Sequence, residues 1–375
     1  MEQSGSTRAG AKAEEVGAPL RTIRAVPGSE PPPCPPLTVP VLPATDDQPR
    51  AYRGGQRAFA TRLFHRVAKA LDRQIVGLVE FVGEGLWHHA WQVGVVAPPV
   101  LPGHPAREKL EFRTLAGANP SVRPWILRIP HGPHSPLHDA RLLKEARLLP
   151  WVVAEGLPVP VPRPVALIGT LLGLASVQTR VDGVEAPETH RFSATAETAC
   201  AVHALPAPPG CGRIDGPIPA WMEGWPTRRD HALDRLAVCR QVPLPEARAA
   251  AAWVEAHLPP ATPACLLHGD LMRQNLRQQG DAWALIDWAE ALAGDPAYDF
   301  AIVTRGVRRP LGEGGARRRL LDLYHAAGGD PGLTMPHIYL QELALTVEWL
   351  AVAATPQVHD EALARLRRML KHLGA

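Results

Sequence analysis

The sequence predicts an α+β protein of two lobes, a small antiparallel-sheet N-terminal lobe and a larger, mainly helical C-terminal lobe. Two observations carry that expectation. Strand-like runs gather between residues 75 and 179, punctuated by glycine turns and one helical stretch. Beyond residue 190 helical periodicity dominates, and two short apolar runs, Cys265–Leu267 and Trp283–Ile286, interrupt it. A chain of 375 residues suits about two domains.

Taken in order, residues 1–57 are rich in Pro, Gly, Ala, Ser and charge. Few large apolar side chains there could offset the entropy of ordering, so the expectation is a disordered or extended tail. A PxxP docking segment in Pro32–Pro43 is the alternative. From Ala58 to Arg73, Phe59, Leu63, Val67 and Leu71 recur every four residues, which predicts a helix with a basic outer face. Ile75–Val96 reads as a hairpin around Gly83-Glu84-Gly85. Glycines at such a tip let backbone amides approach a phosphate, although two glycines without a third are a weak signal.

Trp125–Ile129 reads as the next strand, and Arg128 on it either faces solvent or pairs inward. The helix expected over Leu137–Trp151 bears on that choice. At 100° per residue Glu145 lies about 60° from Leu142 and about 40° from Leu149, inside the apolar arc. A carboxylate there needs a cation, and Arg128 and Arg141 are the candidates. Prolines keep Gly156–Pro164 extended. Two strands follow to Thr179, and Arg180-Val181-Asp182-Gly183 reads as the crossover into the second lobe. Helices are expected at Ala194–Leu205, Arg228–Cys239, Pro245–Leu258, Arg317–Ala327, His337–Ala353 and Asp360–Leu373. His203 reads more readily as a packed core histidine than as a ligand, and Trp221 and Trp225 read as pocket lining or as core.

Composition narrows the function. With 46% hydrophobic and 21% charged residues the chain has the balance of a soluble protein, and a net charge of +3 gives no case for nucleic-acid binding. Five scattered cysteines without a CxxC pair suit a reducing compartment and suggest no zinc site. No apolar run reaches the roughly 18–20 residues of a membrane span, and no signal-type segment is visible, so the expected location is cytoplasmic. Oligomeric state is not legible.

The chemistry concentrates in LLHGDLMRQNLRQQGDAWALIDWAEALAGDPAYDFA, residues 266–301. Two apolar runs each end in a polar cluster that contains an aspartate, Asp270 or Asp287, and Gln278–Asp281 between them reads as a tight turn. That layout brings Asp270, Asn275 and Asp287 into one cleft. Two hard oxygen ligands and a separate carboxylate are what metal-assisted phosphoryl transfer requires.

Read in order, the features run glycine hairpin, strand arginine, helix glutamate, linker, HGDLxxxN, IDW and GDPxxD. In this the chain resembles the aminoglycoside phosphotransferase and choline kinase-like family, which shares the bilobal protein-kinase fold, over about residues 70–350. The resemblance implies an N-lobe over 58–178 and a C-lobe over 179–375. It implies a small-molecule kinase that uses ATP or GTP with Mg²⁺. Asp270 would be the base that orients and deprotonates the acceptor hydroxyl, and Asn275 and Asp287 the metal ligands. Arg128 would reach the phosphates, with Glu145 fixing it. Gly83 and Gly85 would cover the triphosphate, and Gln178, Thr179, Arg180 and Val181 would form the adenine-binding hinge. His268 and Asp299 would buttress the catalytic loop. The reduced glycine loop with bulky Trp87 and Trp91, and arginine where protein kinases carry lysine, depart from the protein-kinase pattern.

A pseudokinase acting as a nucleotide-binding scaffold is the rival reading, and retention of Asp270, Asn275 and Asp287 speaks against it. A two-metal phosphatase would need more His and Asp ligands than the stretch offers. The expected partner is a small-molecule hydroxyl acceptor. Residues 300–375 carry ten Lys/Arg and seven Asp/Glu without an acidic cluster, and Arg305, Arg308 and Arg309 follow the motif. Those features favour a neutral or anionic acceptor over a polycation.

Overall fold

The computed structural model describes residues 34–45, 53–84, 88–96, 123–130, 134–214, 220–303, 315–353 and 355–375. Its N-terminal part is a six-stranded sheet of β1 (Val41–Thr45), β2 (Gln74–Glu84), β3 (His88–Val96), β4 (Arg123–Pro130), β5 (Pro164–Thr170) and β6 (Gly173–Thr179). The spatial order is β1-β5-β6-β4-β3-β2. All neighbours run antiparallel except β1 and β5, which are parallel.

Helices α1 (Arg53–Ala70) and α2 (Pro136–Ala154) cover opposite faces of this sheet. Alternation along the strands assigns the faces. Trp125, Leu127 and Ile129 of β4, with Ile168 and Val177, pack on Phe59, Leu63, Phe64 and Val67 of α1. Leu167 and Leu174, of the other parity, pack with Leu142 and Ala146 of α2. Arg128 therefore points to the α2 face, which is covered rather than solvated.

Part of the tail reading is corrected here. Val41–Thr45 forms the edge strand β1, Leu37 and Val39 pack with Leu142, Ala146 and Leu167, and α1 starts at Arg53. Proline masked the strand signal, but an edge position tolerates Pro43, because only one side of the strand is paired. Residues 1–33, 46–52, Gly85, Trp87 and the basic stretch with Arg305, Arg308 and Arg309 lie outside the described residues.

After Thr179 the chain enters a second, largely helical part: α3 (Arg191–His203), α4 (Arg228–Gln241), α5 (Pro245–Ala256), α6 (Ala297–Val303), α7 (Ala316–Ala326), α8 (Met335–Ala351) and α9 (Pro356–Leu373). Two small sheets accompany these helices. One joins β7 (Val184–Glu185), β9 (Leu276–Gln279) and β10 (Ala282–Leu285), and the other pairs β8 (Cys265–Leu267) with β11 (Leu292–Gly294). The expected turn is present, with Gln279 opposite Ala282 and Gly280 at a φ of 60°. Ala199, Val202, Phe300, Leu320 and Tyr324 share a core with Leu266, Leu276, Leu285 and Trp288 from the central stretch. The polar ends of β8 and β10 are thereby fixed to the helical scaffold.

Candidate active site

The loop after β8 is held from behind by one buried carboxylate. Asp299 of α6 accepts hydrogen bonds from the amides of His268 at 2.9 Å and Gly269 at 2.8 Å. His203 of α3 adds a third contact at 3.1 Å. Burial alone would raise the pKa of Asp299, yet His203 and these donors hold it below the ordinary carboxylate value. The His268 ring is fully buried, donates from Nε2 to the Ile286 carbonyl at 3.1 Å, and accepts the Asp270 amide at Nδ1. It braces the two strand ends against each other. Gly269 has a φ of 76°, and a Cβ there would lie 2.1 Å from the Glu290 carbonyl oxygen, so only glycine fits.

Asp270 follows, and Asn275 fixes it. The Asn275 amide donates to Asp270 Oδ2 at 2.9 Å and to its main-chain carbonyl at 2.8 Å. Asp287, at the end of β10, adopts left-handed backbone with a φ of 64°, a conformation short polar residues tolerate best. Its side chain is 41% exposed and accepts from Arg128 Nη2 at 3.1 Å. The other guanidinium nitrogen, Nη1, pairs closely with Glu145. Both side chains of that pair are almost fully buried, and the second Glu145 oxygen accepts the Trp288 amide at 3.3 Å. Burial would lower the Arg128 pKa, but Glu145 and Asp287 more than offset it and keep the guanidinium charged. Arg141, the competing partner, pairs instead with Glu290.

The link between the two parts is tied into the sheet. Gln178 and Thr179 stand opposite Ile126 and Trp125. The Thr179 amide donates to the Arg163 carbonyl at 2.8 Å and the Arg180 amide to that of Pro124 at 2.9 Å. The Arg180 side chain reaches Gln92 of β3 at 2.8 Å, and Val181 follows it into the second part. Gly83 sits in β2 opposite Ala90, and an added Cβ would meet nothing within 4 Å.

Asp270, Asn275, Asp287, Arg128 and Glu145 thus come together from β4, α2 and the ends of β8, β9 and β10. A family model described as "Phosphotransferase enzyme family" matches residues 104–335, more than half of the chain. The chain belongs to that family. It is therefore a small-molecule phosphotransferase with a protein-kinase-like fold.

Solved structures with the same fold include the GDP complex of aminoglycoside 2'-phosphotransferase-IIIa, which is 16% identical, with a TM-score of 0.54 over 83% of this chain and 98% of that one. Macrolide 2'-phosphotransferase type I is 20% identical, with a TM-score of 0.51 over 82% and 96%. A thermostable mutant of aminoglycoside phosphotransferase APH(4)-Ia, in ternary complex with AMP-PNP and hygromycin B, is 16% identical, with a TM-score of 0.51 over 84% and 97%. No curated protein sequence matches the chain. Among the described residues of this phosphotransferase, no helix is long and apolar enough to cross a membrane.

Two contacts of this cluster were not visible in sequence. Arg128 meets Asp287 across 159 positions, and Lys144 Nζ donates to the Ala291 carbonyl at 2.8 Å. The only local trace of the second is spacing, since Lys144 adjoins Glu145 and lies three residues from Arg141. Of the two readings left open for Trp225, core packing holds: it is buried and stacked on His231 at 4.1 Å, while Trp221 donates to the Pro209 carbonyl.

Proposed function

We propose that this phosphotransferase moves the γ-phosphoryl group of ATP or GTP to a hydroxyl of a small molecule, with Asp270 as general base. The observation that carries this reading is the hydrogen-bonded set in which Asn275 orients Asp270 while Arg128 joins Asp287 to Glu145. As the acceptor oxygen bonds to the γ-phosphorus and the bond to the leaving β-phosphate oxygen breaks, the hydroxyl proton passes to the Asp270 carboxylate.

Asn275 and Asp287 suit Mg²⁺ by the chemistry of their donors. The Asn275 nitrogen is committed to Asp270, which leaves its oxygen for a cation, and Asp287 spends one oxygen on Arg128 while its side chain is part-exposed. Mg²⁺ usually keeps several waters and takes only one or two protein oxygens beside substrate phosphates, so Asn275 and Asp287 would suffice to hold it. When bound, Mg²⁺ neutralises charge on the β- and γ-phosphates.

Arg128 holds Asp287 and presents positive charge toward the phosphates, with Glu145 fixing its fork. Gly83 and Gly85 are assigned to cover the triphosphate, as the likeness to kinases implies. Gln178, Thr179, Arg180 and Val181 hold the purine edge. The amides of Thr179 and Arg180 are already spent within the protein, so the donor we assign to that edge is the Val181 amide. GDP and AMP-PNP in the solved relatives fit a nucleotide in this cleft.

The acceptor is a neutral or anionic alcohol, such as a sugar, a hydroxy-metabolite or an uncharged antibiotic. Support comes from the acids of α8, which already have partners: Glu342 pairs with Arg317 and Glu348 with Arg235. A panel of alcohols and antibiotics with ATP or GTP and Mg²⁺, followed by nucleoside diphosphate release, tests the reading. Asp270→Ala should lower turnover about 10²–10⁴-fold while leaving nucleotide binding intact. Nucleotide binding without turnover on any alcohol would instead make the protein a scaffold.

A further inference from the structure

Helix α2 contributes more to the cleft than Glu145. Arg141, Lys144 and Glu145, at the i, i+3 and i+4 spacing of one helix face, all reach the turn that follows Asp287. Glu145 takes the Trp288 amide, Arg141 takes the Glu290 carboxylate at 2.9 Å, and Lys144 Nζ donates to the Ala291 carbonyl at 2.8 Å. The opposite side of that turn presses on the catalytic loop, since the Glu290 carbonyl oxygen leaves no room for a side chain at Gly269. Residues 288–291 are therefore wedged between α2 and the residue that precedes Asp270.

We propose that Lys144 is a positioning residue: by gripping the Ala291 carbonyl it holds the 288–291 turn, and through it the spacing between Asp287 and Asp270. The assignment rests on the nucleotide-and-metal reading of the site. An amine is an unfavourable choice for this position on packing grounds. Burial pushes Lys144 down to about 8, assisted by Arg141 and opposed by Glu290, Glu145 and Glu223, which are the charged groups around it. A side chain kept only to fill space would be apolar, because an apolar replacement for a partly buried charge is often neutral or stabilising. The bond to Ala291 is what the amine adds.

The test uses the full chain and Mn²⁺ in place of Mg²⁺. Each variant is titrated with Mn²⁺ in the presence of AMP-PNP, with free Mn²⁺ read by electron paramagnetic resonance, and melted in parallel. Lys144→Met should weaken Mn²⁺ about tenfold, the scale expected when a group that orients a ligand is lost. Its melting temperature should be unchanged or higher, and Lys144→Arg, which keeps a cationic donor, should recover most of the affinity. Equal Mn²⁺ affinity in wild type and Lys144→Met overturns the assignment. So does weaker binding that comes with a lower melting temperature and no recovery in Lys144→Arg, since that pattern marks a structural role. If wild type with AMP-PNP binds no Mn²⁺, the reading of the site itself fails, and the role of Lys144 with it.

Discussion

At the scale of single residues, Arg128 is the group on which the cleft turns. It is a buried cation shared between a buried carboxylate and a part-exposed one, so its two partners are not equivalent. Removing Glu145 takes the buried partner from a charge in a desolvated site and leaves the part-exposed Asp287. Breaking such a pair typically costs about 3–5 kcal/mol. We expect Glu145→Ala toward the lower end of that range, measured by urea denaturation, because Asp287 remains. Much of this was legible before any fold was known. The helical phase of Glu145 announced a buried carboxylate, but whether Arg128 or Arg141 would answer it depended on which sheet face α2 covers, and no local pattern encodes that. Asp287 stood out as a candidate from its place at a strand end. Its left-handed backbone and its contact with Arg128 were not legible, since both follow from tertiary packing.

At the scale of elements, periodicity served best where one face is buried and worst where proline and capping intervene. The β2–β3 hairpin lies close to where its apolar spacing put it, whereas α1 starts at Arg53, five residues before the expected Ala58, and ends three before Arg73. Helices α8 and α9 begin two to four residues before the expected starts His337 and Asp360, after the caps Thr334 and Thr355. Each cap is followed by a proline in the first turn, a start signal that an apolar-periodicity reading passes over. Strand β1 was missed for a related reason, since a proline-rich run without alternation gives no strand signal although it can pair at an edge. Deleting residues 1–45 tests its contribution. Loss of Leu37, Val39 and Leu42, all partly buried against the N-terminal part, should cost roughly 2–4 kcal/mol. An unchanged melting temperature would mean that β1 is only a passenger on the sheet.

At the scale of the whole molecule, the two parts are joined by a polar seam, in which Arg128, Arg141, Lys144 and Glu145 of the sheet and α2 meet residues 287–291. A seam of charges responds to pH, and Lys144 sets the sign. Its folded pKa of about 8 lies below the value of 10.5 expected in an unfolded chain, so between those values the unfolded state binds more protons. Stability should therefore rise from pH 8 toward 10.5 relative to Lys144→Met, which has no such proton. Melting both proteins across that window checks it. A constant difference in melting temperature would show that the amine feels no burial.

Asp299 has one more implication. Because it clasps two successive amides from inside the helical part, with His203 behind it, the loop that carries Asp270 keeps its shape without help from whatever lies in front of it. The side facing away from Asp299, where the proposed acceptor would sit, is thereby relieved of that part of the structural duty. On the proposed reading, side chains there can be exchanged during evolution, or by design, without moving Asp270, so one scaffold can be redirected between acceptors by changing its outer wall.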